Sequence, residues 1–411
     1  MLLTTCACCA APLPTYGAGA KKCSRCKTRY CGQACQQQHW KEGGHDKLCK
    51  KIKRGGGAEV YHADKKYKDA AADAVNVCKN ETKGQTCYIC TVGAEKEGLV
   101  RGCGCRGDSG IAHLSCLVQQ AKILQQDDVG VQGTYEWWRK CKLCDQNFEG
   151  PVGRALAWAC WKHGLTVSYP DPDEITYFQA WGMNNIGLSL RQDNHHVESL
   201  AVTEAQLEFL RASQFDEGCP YVMLTKKNLA LDLHYLERYE DALPLYRECY
   251  EVERTHNAKS DETLIIACEC CKTLARLKRF DEARTLYRKH MPGSQTNREV
   301  LRARLNYLEA LHIEGAASQS ELREAKGIIE ERCKRTRQVH GSDRPETREA
   351  EESLAAFLRD TSVNPAVDAD RPIRQGMSVL NLDGAPVLNL DDWRAVADGE
   401  GGTFYLPPKS R

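Results

Sequence analysis

The sequence predicts a multidomain chain in which two small cross-braced modules precede an all-α helical-repeat solenoid. Three observations predict it. Sixteen of the 23 cysteines fall before residue 145, most of them in closely spaced pairs. From about residue 151 to 360 cysteine thins out and a Leu/Ala/Glu/Arg periodicity takes over, as amphipathic helices require. Within that stretch a segment recurs at a shift of 41 residues, the mark of a repeated supersecondary unit.

With 411 residues the chain has room for several domains and at least one sizeable core. Lysine plus arginine (57) balance aspartate plus glutamate (56), so no global charge points to nucleic acid or membrane. Residues 1–56 are locally basic, with 11 Lys/Arg against Glu42 and Asp46. Base-stacking aromatics are not interleaved with those lysines, so nucleic acid is not expected as a partner. No stretch approaches the ~20 apolar residues of a membrane span, and Met1–Cys6 shows neither the charged start nor the apolar run of a signal peptide. The expectation is an intracellular protein, cytoplasmic or nuclear, with no membrane partner. Reducing compartments do not sustain disulfides, so the cysteines are expected to hold metal.

Taken in order, residues 1–50 form the first module and a basic, glycine-rich joint runs from Lys50 to Gly57. Within the connecting segment 51–83, residues 58–80 read as a linking helix, with Val60, Tyr67, Ala71, Ala74 and Val75 near helical spacing. Residues 84–150 form the second module, residues 151–360 the helical repeats, and residues 361–411 an irregular, proline-containing tail. In the tail, Ser378–Leu382 and Pro386–Leu390 could pair as a hairpin around Asp383-Gly384 or stay loosely ordered.

The first module reads Cys6-x2-Cys9, thirteen residues, Cys23-x2-Cys26, four, Cys31-x3-Cys35, nine, His45-x3-Cys49. Eight soft ligands suffice for two closed tetrahedral zinc sites. The interleaved order suggests Cys6, Cys9, Cys31 and Cys35 for one site and Cys23, Cys26, His45 and Cys49 for the other. Cys8 could replace Cys9, and His39 is also available at a poorer spacing than His45. The run Cys23-Ser-Arg-Cys26, Tyr30-Cys31, Cys35-Gln36, His39-Trp40 and His45-Asp-Lys-Leu-Cys49 resembles the MYND-type zinc finger over residues 6–49. It departs from that family in placing four residues between Trp40 and His45, where two are usual.

The second module reads Cys87-x2-Cys90, twelve, Cys103-x-Cys105, seven, His113-x2-Cys116, twenty-four, Cys141-x2-Cys144. Its C4HC3 order places Cys87, Cys90, His113 and Cys116 on one zinc and Cys103, Cys105, Cys141 and Cys144 on another, which brings the expected content to four zinc ions per chain. The single-residue gap at Gly104, followed by Arg106-Gly107-Asp108-Ser109, resembles the RING-CH (RING-variant) finger more than the PHD finger, which normally has two residues there. No three-ligand cluster with a nearby general base marks a hydrolytic zinc.

In the helical region Tyr239-Glu-Asp-Ala-Leu-Pro-Leu-Tyr-Arg-Glu248 aligns with Phe280-Asp-Glu-Ala-Arg-Thr-Leu-Tyr-Arg-Lys289. A shift of 42 places Arg323-Glu324-Ala325 on Asp281-Glu282-Ala283, and a shift of 43 places Asn185, His196, Glu198 and Leu200 on Asn228, Tyr239, Asp241 and Leu243. Each unit is therefore helix, tight turn, helix, with a small alanine where the pair crosses closely; stacking of several units buries what one alone cannot. Asn228-Leu-Ala, Tyr239-Glu-Asp-Ala, Asp261-Glu-Thr-Leu264 and Gly341-Ser-Asp-Arg-Pro-Glu-Thr347 resemble tetratricopeptide repeats of kinesin-light-chain type over about 180–358.

These resemblances imply a protein-interaction protein, with proteins or peptides held by the repeats and the MYND finger. RING-CH fingers are known for ubiquitin ligase activity. They carry no catalytic residue and dock a charged ubiquitin-conjugating enzyme through an apolar groove. Here Ile89 would line that groove. The tryptophan common four residues after the sixth ligand is replaced by Gln120, with Trp137 or Trp138 as candidates to stand in for it. Asp145 follows Cys144, where a basic residue could have clamped ubiquitin. A non-enzymatic scaffold or adaptor is the alternative. Lys50-Lys-Ile-Lys-Arg54 could be a nuclear address or a solvated basic tail of the first finger.

Overall fold

The computed structural model describes residues 5–11, 13, 20–95, 97–127, 134–167, 172–290, 297–340, 345–362, 394–397 and 403–406. The tail segments around Asp383-Gly384 and the run Gly341–Arg344 lie outside these residues. By internal contacts the chain divides into two units, residues 1–255 and 256–411. No helix among the described residues is long and apolar enough to cross a membrane.

In the first unit, a short antiparallel ladder pairs β1 (Lys21–Lys22) with β2 (Arg29–Tyr30) and is followed by α1 (Gln33–Lys41) and α2 (His45–Arg54). The module is poor in apolar side chains, and its core is largely made of its own ligand-type residues: Cys6, Cys23, Cys26 and Cys49 with Leu13, Tyr30, Ile52 and Ala58. α3 (Ala58–Cys78) then leads to β3 (Leu99–Val100) and β4 (Ala112–His113), which pair antiparallel, and to α4 (Leu114–Asp127) and a 3-10 turn over Thr134–Trp138.

The helix expected to link the two modules does more than join them. Ala70, Ala74 and Cys78 of α3 are buried in the second module's core beside Cys87, Leu99, Val100, Ile111, Leu114 and Cys141. α5 (Gly150–Gly164) closes the same core with Val152, Ala155 and Leu156. Asp64 of α3 pairs with Lys162 of α5, and Asp73 lies 3.4 Å from Arg154. Small residues on both helices permit the close approach that these two contacts lock.

Helix pairs follow: α6 (Pro172–Gln192) with α7 (His196–Ala212), then α8 (Pro220–Tyr235) with α9 (Tyr239–Asn257). The second unit continues with α10 (Asp261–Arg276), α11 (Phe280–His290), α12 (Arg298–Ile313), α13 (Gln319–His340) and α14 (Pro345–Ser362). A hairpin pairs β5 (Arg394–Ala397) with β6 (Thr403–Leu406).

The repeat register read from sequence falls on equivalent places in these helices. Ala242, Ala283 and Ala325 near the starts of α9, α11 and α13 are all at most 1% exposed. Ser199 occupies the corresponding place in α7, with its hydroxyl 2.8 Å from Asp232 Oδ1 and 3.0 Å from Gly187 O. The turns repeat as well. The carbonyls of Leu190, Leu233, Leu274 and Leu311 accept the N–H of the residue five ahead at 2.8–2.9 Å. The residue before each of those donors is left-handed: Asn194 (φ 61°), Glu237 (59°), Lys278 (59°) and Gly315 (67°). This is the helix-closing motif that satisfies the last carbonyls and reverses the chain. The fold is thus two cysteine/histidine modules followed by a tetratricopeptide-like helical-repeat region.

Candidate metal centres

Four groups of ligand-type side chains converge in the first unit, each with its donor atoms within 4.8 Å of one another. They are Cys6, Cys9, Cys31 and Cys35; Cys23, Cys26, His45 and Cys49; Cys87, Cys90, His113 and Cys116; and Cys103, Cys105, Cys141 and Cys144. These are the sixteen residues, in the pairing, that the interleaved spacing suggested.

The backbone builds the ligand pairs in one recurring way. In each of Cys6–Cys9, Cys23–Cys26, Cys87–Cys90 and Cys141–Cys144, the N–H of the residue after the second cysteine donates to the first cysteine's carbonyl at 2.8–3.0 Å. The first cysteine's own N–H donates to the carbonyl five residues on at 2.8–2.9 Å. The residue after the pair is left-handed every time: Ala10 (φ 58°), Lys27 (65°), Thr91 (60°) and Asp145 (55°). Each knuckle thereby points two sulfurs to one side and several N–H groups toward them.

The spacing between donors suits a tetrahedral ion. A zinc–sulfur bond of ~2.3 Å puts tetrahedral sulfurs about 3.8 Å apart. Cys9–Cys31 and Cys31–Cys35 are 3.7 and 3.4 Å apart, and Cys23–Cys49 and Cys105–Cys141 are both 3.8 Å apart. The histidines approach with different nitrogens. His45 Nε2 lies 3.4 Å from Cys26 Sγ, whereas His113 Nδ1 lies 3.3 Å from Cys90 Sγ and 3.8 Å from Cys116 Sγ. His113 Nε2 lies 2.8 Å from the Gly93 carbonyl, a contact that places its proton there and leaves Nδ1 as a lone-pair donor. Burial holds His45 below the usual imidazole range, which keeps it neutral and fit to ligate. Burial opposes ionisation of Cys6, but the N–H groups of Cys9, Cys31 and Cys8 outweigh it and bring the thiol down to about 6.

Geometry separates the alternatives that spacing left open. Cys9 joins the first group, while Cys8 Sγ turns to Gln38 Oε1 at 3.5 Å. His45 joins the second group, and His39 instead takes Tyr30 OH at 3.1 Å on Nδ1. The two extra residues before His45 are absorbed by Gly44, whose φ of 71° lets the chain turn directly into α2.

In the second module Ile89 stands between the first two cysteines and is 37% exposed, and Leu143 between the last two is 52% exposed. Gln120 Oε1 accepts from Tyr88 OH at 2.9 Å. Trp138 does not stand in for the missing tryptophan. It is 1% exposed in a core with Ala121, Ala159, Cys160 and Phe178, and its indole N–H donates to Gln125 Oε1 at 2.8 Å. Trp137 packs against the same core and carries Lys142 Nζ 4.1 Å from its ring centroid.

Comparison with known proteins adds to this geometry. Residues 87–144 match the RING-variant domain. That match begins and ends on members of the third and fourth groups. Residues 221–295 match a tetratricopeptide repeat, covering α8 to α11. No curated protein matches the chain. Among solved structures, kinesin light chain TPR-like repeats from Podosopora anserina align at 13% identity and a TM-score of 0.32, covering 61% of this chain and 97% of that one. A single-substitution form of the same repeats aligns at 13% identity and a TM-score of 0.33, covering 60% and 95%. The RING-variant domain and the repeats make this a metal-binding protein-interaction chain. The four groups can hold metal, and the RING-variant domain points to zinc.

Proposed function

We propose that the chain binds four zinc ions through a MYND-type finger (residues 6–49) and the RING-variant domain, and acts as a RING-CH-type ubiquitin ligase. Its tetratricopeptide repeats and MYND finger would hold protein or peptide partners. The observation that carries the ligase reading is Ile89, an aliphatic side chain held in solvent on a knuckle of the RING-variant domain. A charged ubiquitin-conjugating enzyme docks there, and the bound partner supplies the acceptor lysine. The sixteen ligands shape the domain and take no part in bond-making. Structural zinc contributes roughly 10–16 kcal/mol to folding in finger peptides, which suits modules whose cores are built around cysteines.

The adaptor reading is supported by Gln120, which is engaged by Tyr88, and by the burial of Trp138. The test is autoubiquitination of the purified full chain with a panel of conjugating enzymes, alongside its zinc content. The expected result is chain formation by the wild type and at least tenfold less by Ile89→Ala, with about four zinc ions in both. Full zinc occupancy without ubiquitin transfer across the panel would favour the adaptor.

A further inference from the structure

The second helix of the first module carries a charge pattern that its part in holding metal does not use. α2 buries His45, Cys49 and Ile52, which fall in one sector of a helix turning 100° per residue. Lys47, Lys50, Lys51 and Arg54 follow the i, i+3, i+4, i+7 spacing on the opposite sector, and all four are exposed. Among the described residues none of them forms an ion pair, and Lys51 Nζ lies 6.0 Å from the Tyr61 ring centroid. Asp46 sits on the flank with Lys53, off the stripe. Two more exposed cations, Arg25 and Lys27, sit on the Cys23–Cys26 knuckle. Cys23 and Cys26 converge with His45 and Cys49, which places that knuckle on the buried sector of α2 and its two cations apart from the stripe.

The helix is fixed by two ligand-type residues and one buried isoleucine, so the backbone that spaces these cations is held in place. A nuclear address read as an extended peptide would have to unwind it. The row is about 10 Å long, and each strand of a duplex carries a phosphate every ~3.4 Å of the duplex axis, so a row lying along that axis spans about three intervals and meets about four phosphates. Stacking aromatics are a requirement of single-strand binding. A duplex backbone needs only point cations in register. An anionic membrane would call for apolar side chains within the same sector, and the exposed Leu48 lies on the flank instead.

We propose that α2 is a docking face for the phosphate backbone of double-stranded nucleic acid. Lys47, Lys50, Lys51 and Arg54 make the contacts, and the binding is independent of sequence. The test is fluorescence anisotropy of a labelled 20-base-pair DNA of arbitrary sequence titrated with the full-length, metal-loaded protein over a salt series. Four phosphate contacts give a log–log salt slope between about −3 and −4, which is about a 100-fold loss of affinity from 50 to 200 mM salt. The variant Lys47→Gln/Lys50→Gln/Lys51→Gln/Arg54→Gln is expected to bind at least tenfold more weakly with a slope near zero. Lys65→Gln/Lys66→Gln on α3 should bind as the wild type does. If the quadruple variant loses metal, Lys47→Gln/Lys50→Gln reads the same surface through a slope shallower by about 2. Absence of salt-dependent binding by the wild type, or an unchanged slope in the stripe variants, overturns the proposal. So does tighter retention on phosphatidylserine vesicles or polyglutamate than on the duplex.

Discussion

The non-glycine residues held at positive φ fall into two sets that account for how the chain turns. Four of them (Ala10, Lys27, Thr91, Asp145) close cysteine knuckles, and Asn194, Gln214, Glu237 and Lys278 close helices. A side chain in that region costs about 1–2 kcal/mol, and glycine removes the clash. Lys278→Gly is therefore expected to stabilise the repeats by about 1 kcal/mol in urea unfolding. Gly110 is the opposite case: its φ is 75°, and a β-carbon there would stand 2.6 Å from Cys105 Cβ and 3.1 Å from Cys103 Sγ. Gly110→Ala is expected to lose metal from the Cys103/Cys105/Cys141/Cys144 group alone, read as about one zinc fewer per chain. Glu309 supplies a pH prediction. Burial raises its carboxyl to about 7, Arg332 only partly opposes this, and Oε1 has no hydrogen-bond partner. A raised carboxyl pKa means the folded state holds the proton more tightly than the unfolded state, so the charge destabilises as pH rises from about 4.5 through about 7. Glu309→Gln should therefore stabilise by up to about 3 kcal/mol at pH 8 and by nothing at pH 4 in thermal melts. The four cysteine/histidine groups were legible because metal chemistry fixes the spacing of its ligands. Most of the left-handed residues were not, because alanine, lysine, threonine, glutamine and glutamate carry no mark of a backbone they rarely adopt; only Asp145 and Asn194 are of types enriched there.

At the scale of elements, the small residue at each helix crossing was readable as a recurring alanine, and its burial at Ala242, Ala283 and Ala325 follows from the close approach of the pair. Ala283→Leu should overpack that crossing and cost about 1–3 kcal/mol in stability, checked by denaturant unfolding. The partners of α3 could not be read. Its apolar positions are mostly alanines, whose weak pattern gives a helix but says nothing about what covers it, and α5 covers it from some eighty residues downstream through pairs such as Arg154 with Asp73. The place of Trp138 is not legible in the sequence for a related reason. Its position in the long loop before Cys141 allows either the domain's surface groove or packing inside, and the 3-10 turn directs the indole inward onto α5 and α6.

For the molecule as a whole, the metal-ligand groups all lie before residue 145, whereas the repeats contain no such group among the described residues. Chelation should therefore act on one part of the chain. Circular dichroism is expected to lose the contribution of α1 to α5 while most repeat helicity persists, and limited proteolysis should clear the cysteine-rich region first. The order of modules was legible from the shift in composition near residue 150, since cysteine pairs and helical periodicity make different demands on sequence. What composition could not give is distance. α3 begins in the core of the first module at Ala58 and ends in the core of the second at Ala70, Ala74 and Cys78. It is thus a ruler as well as a floor: sixteen residues from Ala58 to Ala74 set about 24 Å of axial separation. One residue inserted between them would turn one module about the other by 100° and advance it by ~1.5 Å. Any two sites placed one on each module are held at a fixed pitch, like teeth on a shaft, and a change of helix length would retime them without altering either site's own residues.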